Sequence, residues 1–401
     1  MTSARAPSMT AFAVLWASYY AAMGLMAVYA PVWWHSLGFT PTLIGLLLAL
    51  QSSSRLVAPY AWGWWGDHSG ERVRLLRLAS LIAAIAASGM LLGVHPAWLA
   101  LCVVIQAAGQ QGVVPLGEAA QLRQMQSADG RIDASAYSRV RMWGSVGFIA
   151  SVGLGGWVLQ GERLAWFAPL ALGLFALAAA LPWRMPAQAS AVSLAAADPS
   201  APSALQVLRQ PTVAWFFASV IAMVLAHMSL AVGLSLYLEH LGYARGTVGL
   251  FWVVGVVAEV LFFWQQRRFF ERLSLHGWLL LASGVAALRF ALMALLPVFS
   301  AWSIHAVALT AVIVLLQAAH ALTFAAHHST CMALVAQHFP DRLRGRGGAL
   351  YASIGYGIPG VLGASGGGWL AEHHGYDRLF EAAALAALLS ALAAWRSRRW
   401  R

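Results

Sequence analysis

Five ionisable side chains lie inside strongly apolar stretches of this sequence: Glu259, Arg289, His320, His327 and His328. A carboxylate, a guanidinium and imidazoles in one apolar surrounding can hold, pass and release a proton, because losing it frees the carboxylate to pair with arginine. A second set, Arg141 with Glu118 and more remotely Arg55, offers guanidinium groups that grip a carboxylate or a polar solute. Other chemistries fit poorly. His327 and His328 are adjacent rather than four apart and have no nearby acid, so no metal site is expected. No nucleophile sits beside a base as a hydrolase would require, so neither an enzyme nor a cofactor is expected. An intramembrane enzyme or a sensor is the remote alternative, and a sensor would carry a soluble output domain. Cys102 and Cys331 fall in apolar segments and support neither a disulfide framework nor a thiolate site.

Such residues need long apolar helices to hold them. The chain has 401 residues, 60% hydrophobic and only 10% charged, outside the balance of a soluble domain. A helix of ~20 apolar residues crosses a bilayer, whereas membrane strands show short alternating segments. The long unbroken runs favour helices. Twelve spans are predicted, at 10–34, 41–65, 74–94, 97–120, 138–160, 164–183, 211–238, 245–267, 276–296, 301–330, 347–371 and 377–395. With both termini in the cytoplasm, 20 of the 25 arginines fall on the cytoplasmic side, including Arg5, Arg131, Arg342 and Arg401. Arg163, Arg245 and Arg378 lie opposite, and Arg55 and Arg289 fall within spans. The net charge of +11 does not indicate nucleic acid, since the arginines are scattered over loops and form no basic domain. The first span reads as a retained helix, so a multi-pass protein of a bacterial inner membrane is expected. Trp33, Trp34, Trp62, Trp64 and Trp65 lie near span ends and read as interface anchors.

The hydrophilic stretch 185–210 divides the chain into a six-span bundle at 1–184 and another at 211–401. Leu37-Gly38-Phe39 followed by Gly45-Leu46 recurs 204 residues later as Leu241-Gly242-Tyr243 followed by Gly249-Leu250, and Gly155-Gly156-Trp157 recurs as Gly367-Gly368-Trp369. The repeat favours two related bundles with a mid-depth substrate site. In the same register Arg55 falls opposite Glu259.

The loop from Gly63 through Asp67 and Gly70 to Arg72 resembles the signature loop of the major facilitator superfamily, departing from it at His68 and Glu71. The resemblance implies an all-helical fold of two pseudo-symmetric six-helix bundles, with Gly63, Asp67 and Gly70 as a conformational latch. Glu259, Arg289 and His320, on the eighth, ninth and tenth spans, resemble the proton-coupling set of oligosaccharide:proton symporters typified by the lactose permease. Arg139-Val140-Arg141-Met142-Trp143-Gly144 resembles that family's fifth helix, whose second arginine binds substrate, and Glu118 matches its acidic partner. Thr323 stands where that family has a proton-releasing carboxylate, and Phe148 where it has a tryptophan platform. The resemblance is nearer still to the 3-phenylpropionate permease branch, through Val140 to Val146, Gly255 to Val260, and the spacing of His320, Thr323-Phe324 and His328.

Helix geometry puts His320, Thr323 and His327 on one stripe and turns His328 ~80° or more away. The expected function is a proton-coupled symporter importing a small organic solute. Arg141, with Glu118 or Arg55, would hold its polar end, and Phe148 and Trp143 its apolar part, while Glu259, His320, His327 or His328 would take the proton. An aromatic carboxylate leads; a sugar or nucleoside is the alternative. The partners expected are the solute, protons and lipid, with no nucleic acid, and a monomer. Plainer readings stay open. Glu259 with Arg289, and Glu118 with Arg141, would also serve as structural pairs, and His227 and His305 read as structural.

Overall fold

The computed structural model describes residues 9–125, 134–185, 204–301, 306–339 and 343–399. Arg5, Arg131, His305, Arg342, Arg401 and most of the 185–210 stretch lie outside them. Among the described residues the chain is all-helical, with no strand. The main helices are α1 (Met9–Ser36), α2 (Pro41–Ser69), α3 (Arg72–Leu91), α4 (Pro96–Met125), α5 (Ala134–Val158), α6 (Gly161–Arg184), α7 (Pro211–His240), α8 (Arg245–Phe270), α9 (Leu275–Ala294), α10 (Ala306–His338), α11 (344–374) and α12 (Tyr376–Arg399). Ten are long and apolar enough to cross a membrane. Helices α5 and α11 coincide with the two remaining predicted spans, but their glycine, serine and tryptophan content makes them less apolar.

A bilayer as solvent explains which side chains face inward. Helix α12 buries Ala383, Ala384, Ala387, Ser390, Ala393 and Ala394 while exposing Leu385, Leu388, Leu389 and Leu392. In water this would be inside out; in lipid, small residues allow close helix approach and leucines face the acyl chains. Ser390 Oγ lies 3.0 Å from Ser219 Oγ on α7 and 2.9 Å from Ser283 Oγ on α9, a buried three-helix hydroxyl cluster.

Two compact units form, one within Met1–Trp33 and Val57–Ala197, the other within Trp34–Leu56 and Asp198–Arg401. Residues 34–56 thus group with the second unit. There the first half of α2 lies along α11: a Cβ on Gly45 would sit 2.4 Å from the Ala364 carbonyl oxygen, and one on Gly368 2.4 Å from that of Pro41. The Thr42 N–H donates to Glu372 Oε2 at 2.9 Å. Pro59 lies inside α2, three residues past that segment.

In the first unit, α1 and α5 meet through glycines. A Cβ on Gly147 would fall 2.0 Å from the carbonyl oxygen of Ala17, and one on Gly155 2.7 Å from the Tyr29 ring. Arg77 of α3 donates to the Pro182 and Met185 carbonyls at 3.0 and 2.7 Å, fastening the end of α6. The repeat seen in the sequence returns as equivalent turns. Gly38 and Gly242 have φ of 85° and 89°, and the residue after each donates back to the carbonyl five residues earlier, at 3.1 and 3.0 Å.

Three tryptophans depart from the anchor reading. Trp33, Trp34 and Trp62 are buried at 5%, 1% and 9% exposure, whereas Trp64 and Trp65 are exposed. Nearness to a span end does not decide orientation; Trp33 stacks on Phe167 at 5.0 Å and Trp62 packs against Gly112.

Candidate functional site

In the first unit α1, α4 and α5 build a cage around Arg141. Its Nε lies 3.3 Å from Glu118 Oε1, and its Nη2 donates to the Tyr20 hydroxyl. The guanidinium carbon stands 4.5 Å from the Tyr20 ring centre and 5.2 Å from that of Trp16. Trp16 is fixed from behind, its Nε1 donating to Gln121 Oε1 at 2.6 Å, and Tyr137 bonds Glu118. A Cβ on Gly144 would be 2.9 Å from Arg141 Nη1, so this glycine leaves the arginine its path across α5. Arg141 and Glu118 keep 29% and 33% side-chain exposure, a reachable charge pair rather than a sealed one. Phe148 lies two turns along α5 against Gly24 of α1. Trp143 is 48% exposed, and no contact joins it to the Arg141 cage among the described residues. Arg139 is exposed as well.

In the second unit a polar network runs through α7, α8, α9 and α10. Glu259 and Arg289 do not touch directly; His320 stands between them, Nε2 3.0 Å from Glu259 Oε1 and Nδ1 2.8 Å from Arg289 Nη1. Arg289, 1% exposed, also donates to Thr323 Oγ1 and to Gln317 Oε1, each at 3.1 Å. Thr323 reaches His227 Nε2 at 3.3 Å, so His227, read from sequence as structural, joins the network.

A π-helical turn over Ala321–Ala326 overturns the predicted histidine stripe. Its i→i+5 bonding advances less than the ~100° per residue of an α-helix. The residues in register are therefore His320, Phe324 and His328, with parallel rings 5.4 and 6.1 Å apart at 13° and 7°. His327 turns away and buries its ring beside Cys331 Sγ. His328 Nδ1 faces the Tyr351 and Tyr356 hydroxyls at 3.2 and 3.4 Å. Those tyrosines belong to a second π-helical turn, Tyr351–Gly357 in α11, and a third occupies Leu230–Leu234 in α7. π turns concentrate where a side chain must be aimed off the regular helix path. Arg55 is exposed and within electrostatic reach of Tyr356.

At the signature loop, Asp67 is 68% exposed and pairs with Arg72 at 3.2 Å. Gly70 closes α2 with φ 67°. Close helix approach falls to Gly66, whose Cβ would lie 3.0 Å from Leu116, while a Cβ on Gly63 would meet nothing within 4 Å.

The model of the MFS_1 like family matches residues 9–382. The chain belongs to this family. It is a multi-pass membrane transporter of the major facilitator type. Among its relatives, the "Probable 3-phenylpropionic acid transporter" of Escherichia coli (strain K12) is 27% identical over 278 residues, 69% of this chain and 71% of that one. The "Maltose permease" of Geobacillus stearothermophilus is 27% identical over 333 residues, covering 82% and 79%. The crystal structure of nucleoside transporter NupG superposes with a TM-score of 0.80 over 98% of this chain and 99% of that one, at 15% identity. The POT family transporter PepTSo gives 0.74 over 98% of both, at 10% identity. At these identities the solved structures share the fold with this MFS_1 like chain.

Proposed function

We propose that this transporter is a proton-coupled symporter that imports an aromatic monocarboxylate of the phenylpropionate type. The observation that carries the reading is the Arg141 cage, in which a partly exposed guanidinium lies against the face of the half-buried Tyr20, with the fully buried Trp16 behind it. An arylalkanoate has a carboxylate for the first and a ring for the second. In this reading the substrate carboxylate competes with Glu118 for Arg141, and Phe148 extends the apolar wall along α5. The similarity to a probable 3-phenylpropionic acid transporter points the same way. The buried network of Glu259, His320 and Arg289 supplies the proton-coupling part, since a carboxylate inside an apolar bundle changes its pairing when it gains or loses a proton. The distribution of arginines favours an inner-membrane orientation with both termini cytoplasmic.

A sugar is the second reading, favoured by the similarity to a maltose permease and by the Glu118–Arg141 pair, which offers both acceptor and donors to hydroxyl groups. Purified protein in proteoliposomes separates the two. An inward proton gradient should drive accumulation of 3-phenylpropionate, and excess maltose should not compete. Accumulation of maltose instead selects the second reading, and a gradient that drives neither solute refutes proton symport of both classes.

A further inference from the structure

We infer that Glu259 is the group that takes up and releases the transported proton, while His320 stays neutral, held in one tautomer by its hydrogen bond from Arg289. The assignment rests on the symport reading and decides which of its four candidate groups carries the proton.

The argument is one of hydrogen-bond direction. A guanidinium has donors only. Arg289 Nη1 is 2.8 Å from His320 Nδ1, so that nitrogen must present its lone pair. The ring hydrogen is then on Nε2, where it meets Glu259 Oε1 at 3.0 Å. A second chain starts at the same nitrogen, which donates to Thr323 Oγ1 at 3.1 Å. The hydroxyl has two acceptors in reach of its single hydrogen, His227 Nε2 at 3.3 Å and the His320 carbonyl oxygen at 3.4 Å. His227 Nε2 is free to accept because Nδ1 of the same ring, 2.9 Å from the Met223 carbonyl oxygen, has to donate there. The His320 ring is thus a neutral Nε2–H tautomer fixed by its neighbours, and the Met223 carbonyl sets a hydrogen on Nδ1 of His227.

Adding a proton to His320 would put an N–H against an N–H of Arg289. Adding one to His227 turns the Thr323 hydrogen onto the His320 carbonyl and leaves every Arg289 bond in place, so it does not report to the cation. Adding one to Glu259 breaks nothing: the carboxyl still accepts from His320 Nε2, and its negative charge is gone. The proton comes from water onto a Glu259 oxygen, forming one O–H bond, and returns to water when that bond breaks; no other bond changes.

The remaining histidines do not report to the cation. His327 lies 3.6 and 3.7 Å from Cys331 Sγ through its two ring nitrogens, and no bond joins it to Arg289 among the described residues. A proton on His328, which faces Tyr351 and Tyr356, leaves every Arg289 bond in place. The charged and titratable groups around Glu259 are His320 and His328 from α10, Arg289 from α9 and, behind His320 with ring centres 5.7 Å apart, His227 from α7. Nearer the ends of α8, Glu239 is occupied by Arg245 at 2.7 Å, and Arg267 and Arg268 are exposed in the last turn. Once Glu259 is neutral, Arg289 is a buried cation without a counter-charge among the described residues.

Infrared pH titration of the purified full chain reads Glu259 without any substrate. The other carboxylates also protonate as pH falls, so the signal is the wild-type minus Glu259→Gln difference, which should contain one growing protonated-carboxyl band that Glu259→Asp restores. Nitrogen NMR of labelled histidine, assigned with His320→Gln, should show His320 as the neutral Nε2–H tautomer across the titration. A difference spectrum without a titrating carboxyl band, or an imidazolium at His320, overturns the assignment. In proteoliposomes Glu259→Gln should lose at least tenfold of gradient-driven 3-phenylpropionate accumulation while keeping exchange of the same solute within threefold of wild type. If wild type fails to accumulate it, the symport reading falls, whereas the spectroscopic result still decides where the proton sits.

Discussion

Replacing Gly147 by alanine tests the packing that holds the Arg141 cage together. The added methyl would lie 2.0 Å from the Ala17 carbonyl oxygen, 2.7 Å from its carbon and 2.8 Å from its Cα, so it meets backbone that cannot rotate aside. Real Cβ atoms stay beyond about 3 Å of such neighbours, so α1 and α5 must part by roughly 1 Å. Overpacking of this kind costs ~1–3 kcal/mol, and the gain in helix propensity on replacing glycine returns up to ~1 kcal/mol. A net loss of about 2 kcal/mol lowers Tm by roughly 4–8 °C for a unit of this size. Gly173→Ala in α6 is the control, because its Cβ would meet nothing within 4 Å, and it should be neutral or slightly stabilising. Trp16 and Tyr20 flank Ala17 on α1, so a 1 Å displacement also spoils their alignment with Arg141, and uptake should fall on the order of 100-fold. Thermal unfolding in detergent and initial uptake rates read both effects. Equal Tm values for the two variants would refute the close approach of α1 and α5.

Arg141→Lys keeps the charge but cannot serve Glu118 and the Tyr20 hydroxyl from one planar group; loss of a charge-assisted bond of ~1.5–3 kcal/mol should reduce initial uptake about 10- to 100-fold without lowering Tm. Asp67→Asn removes an exposed pair with Arg72 worth under ~1 kcal/mol, so Tm should hardly move, and a many-fold fall in uptake would place Asp67 in the transport cycle rather than in stability. Ser390→Ala leaves Ser219 and Ser283 without their common partner and should cost ~1 kcal/mol, read as a small Tm decrease with unchanged substrate affinity.

The helices were legible because bilayer thickness dictates their length, and the arrangement of Gly38 and Gly242 because a left-handed turn restricts residue choice. Arg141 lies beside Glu118, and His320 stands between Glu259 and Arg289, groups that only the family resemblance had placed together. What the sequence concealed was set by tertiary geometry. The π turn at Ala321–Ala326 exchanges His327 for His328 on the face of His320, and a reading at constant helical pitch cannot anticipate an extra residue in one turn. His227 entered the network through Thr323, a contact between residues 96 positions apart. Tyr20 and Trp16 carry no local signal beyond aromaticity in a first helix rich in aromatic residues; their role depends on α5 crossing α1 at Gly144 and Gly147. Gly66 rather than Gly63 takes the tight contact because only one of two glycines three apart faces α4.

Helix α2 is one piece by its backbone and two by its packing. Leu56 closes the segment that lies with α11, and Val57 opens the segment that belongs with the first unit. Pro59, just beyond, has no N–H to offer the carbonyl of Arg55 four residues back, so a rung of the helical ladder is missing at this exchange of neighbours. The chain thus passes from one unit to the other across a single peptide bond inside a helix, as it also does at Trp33–Trp34 in α1, and in α2 a missing rung lies beside the crossing.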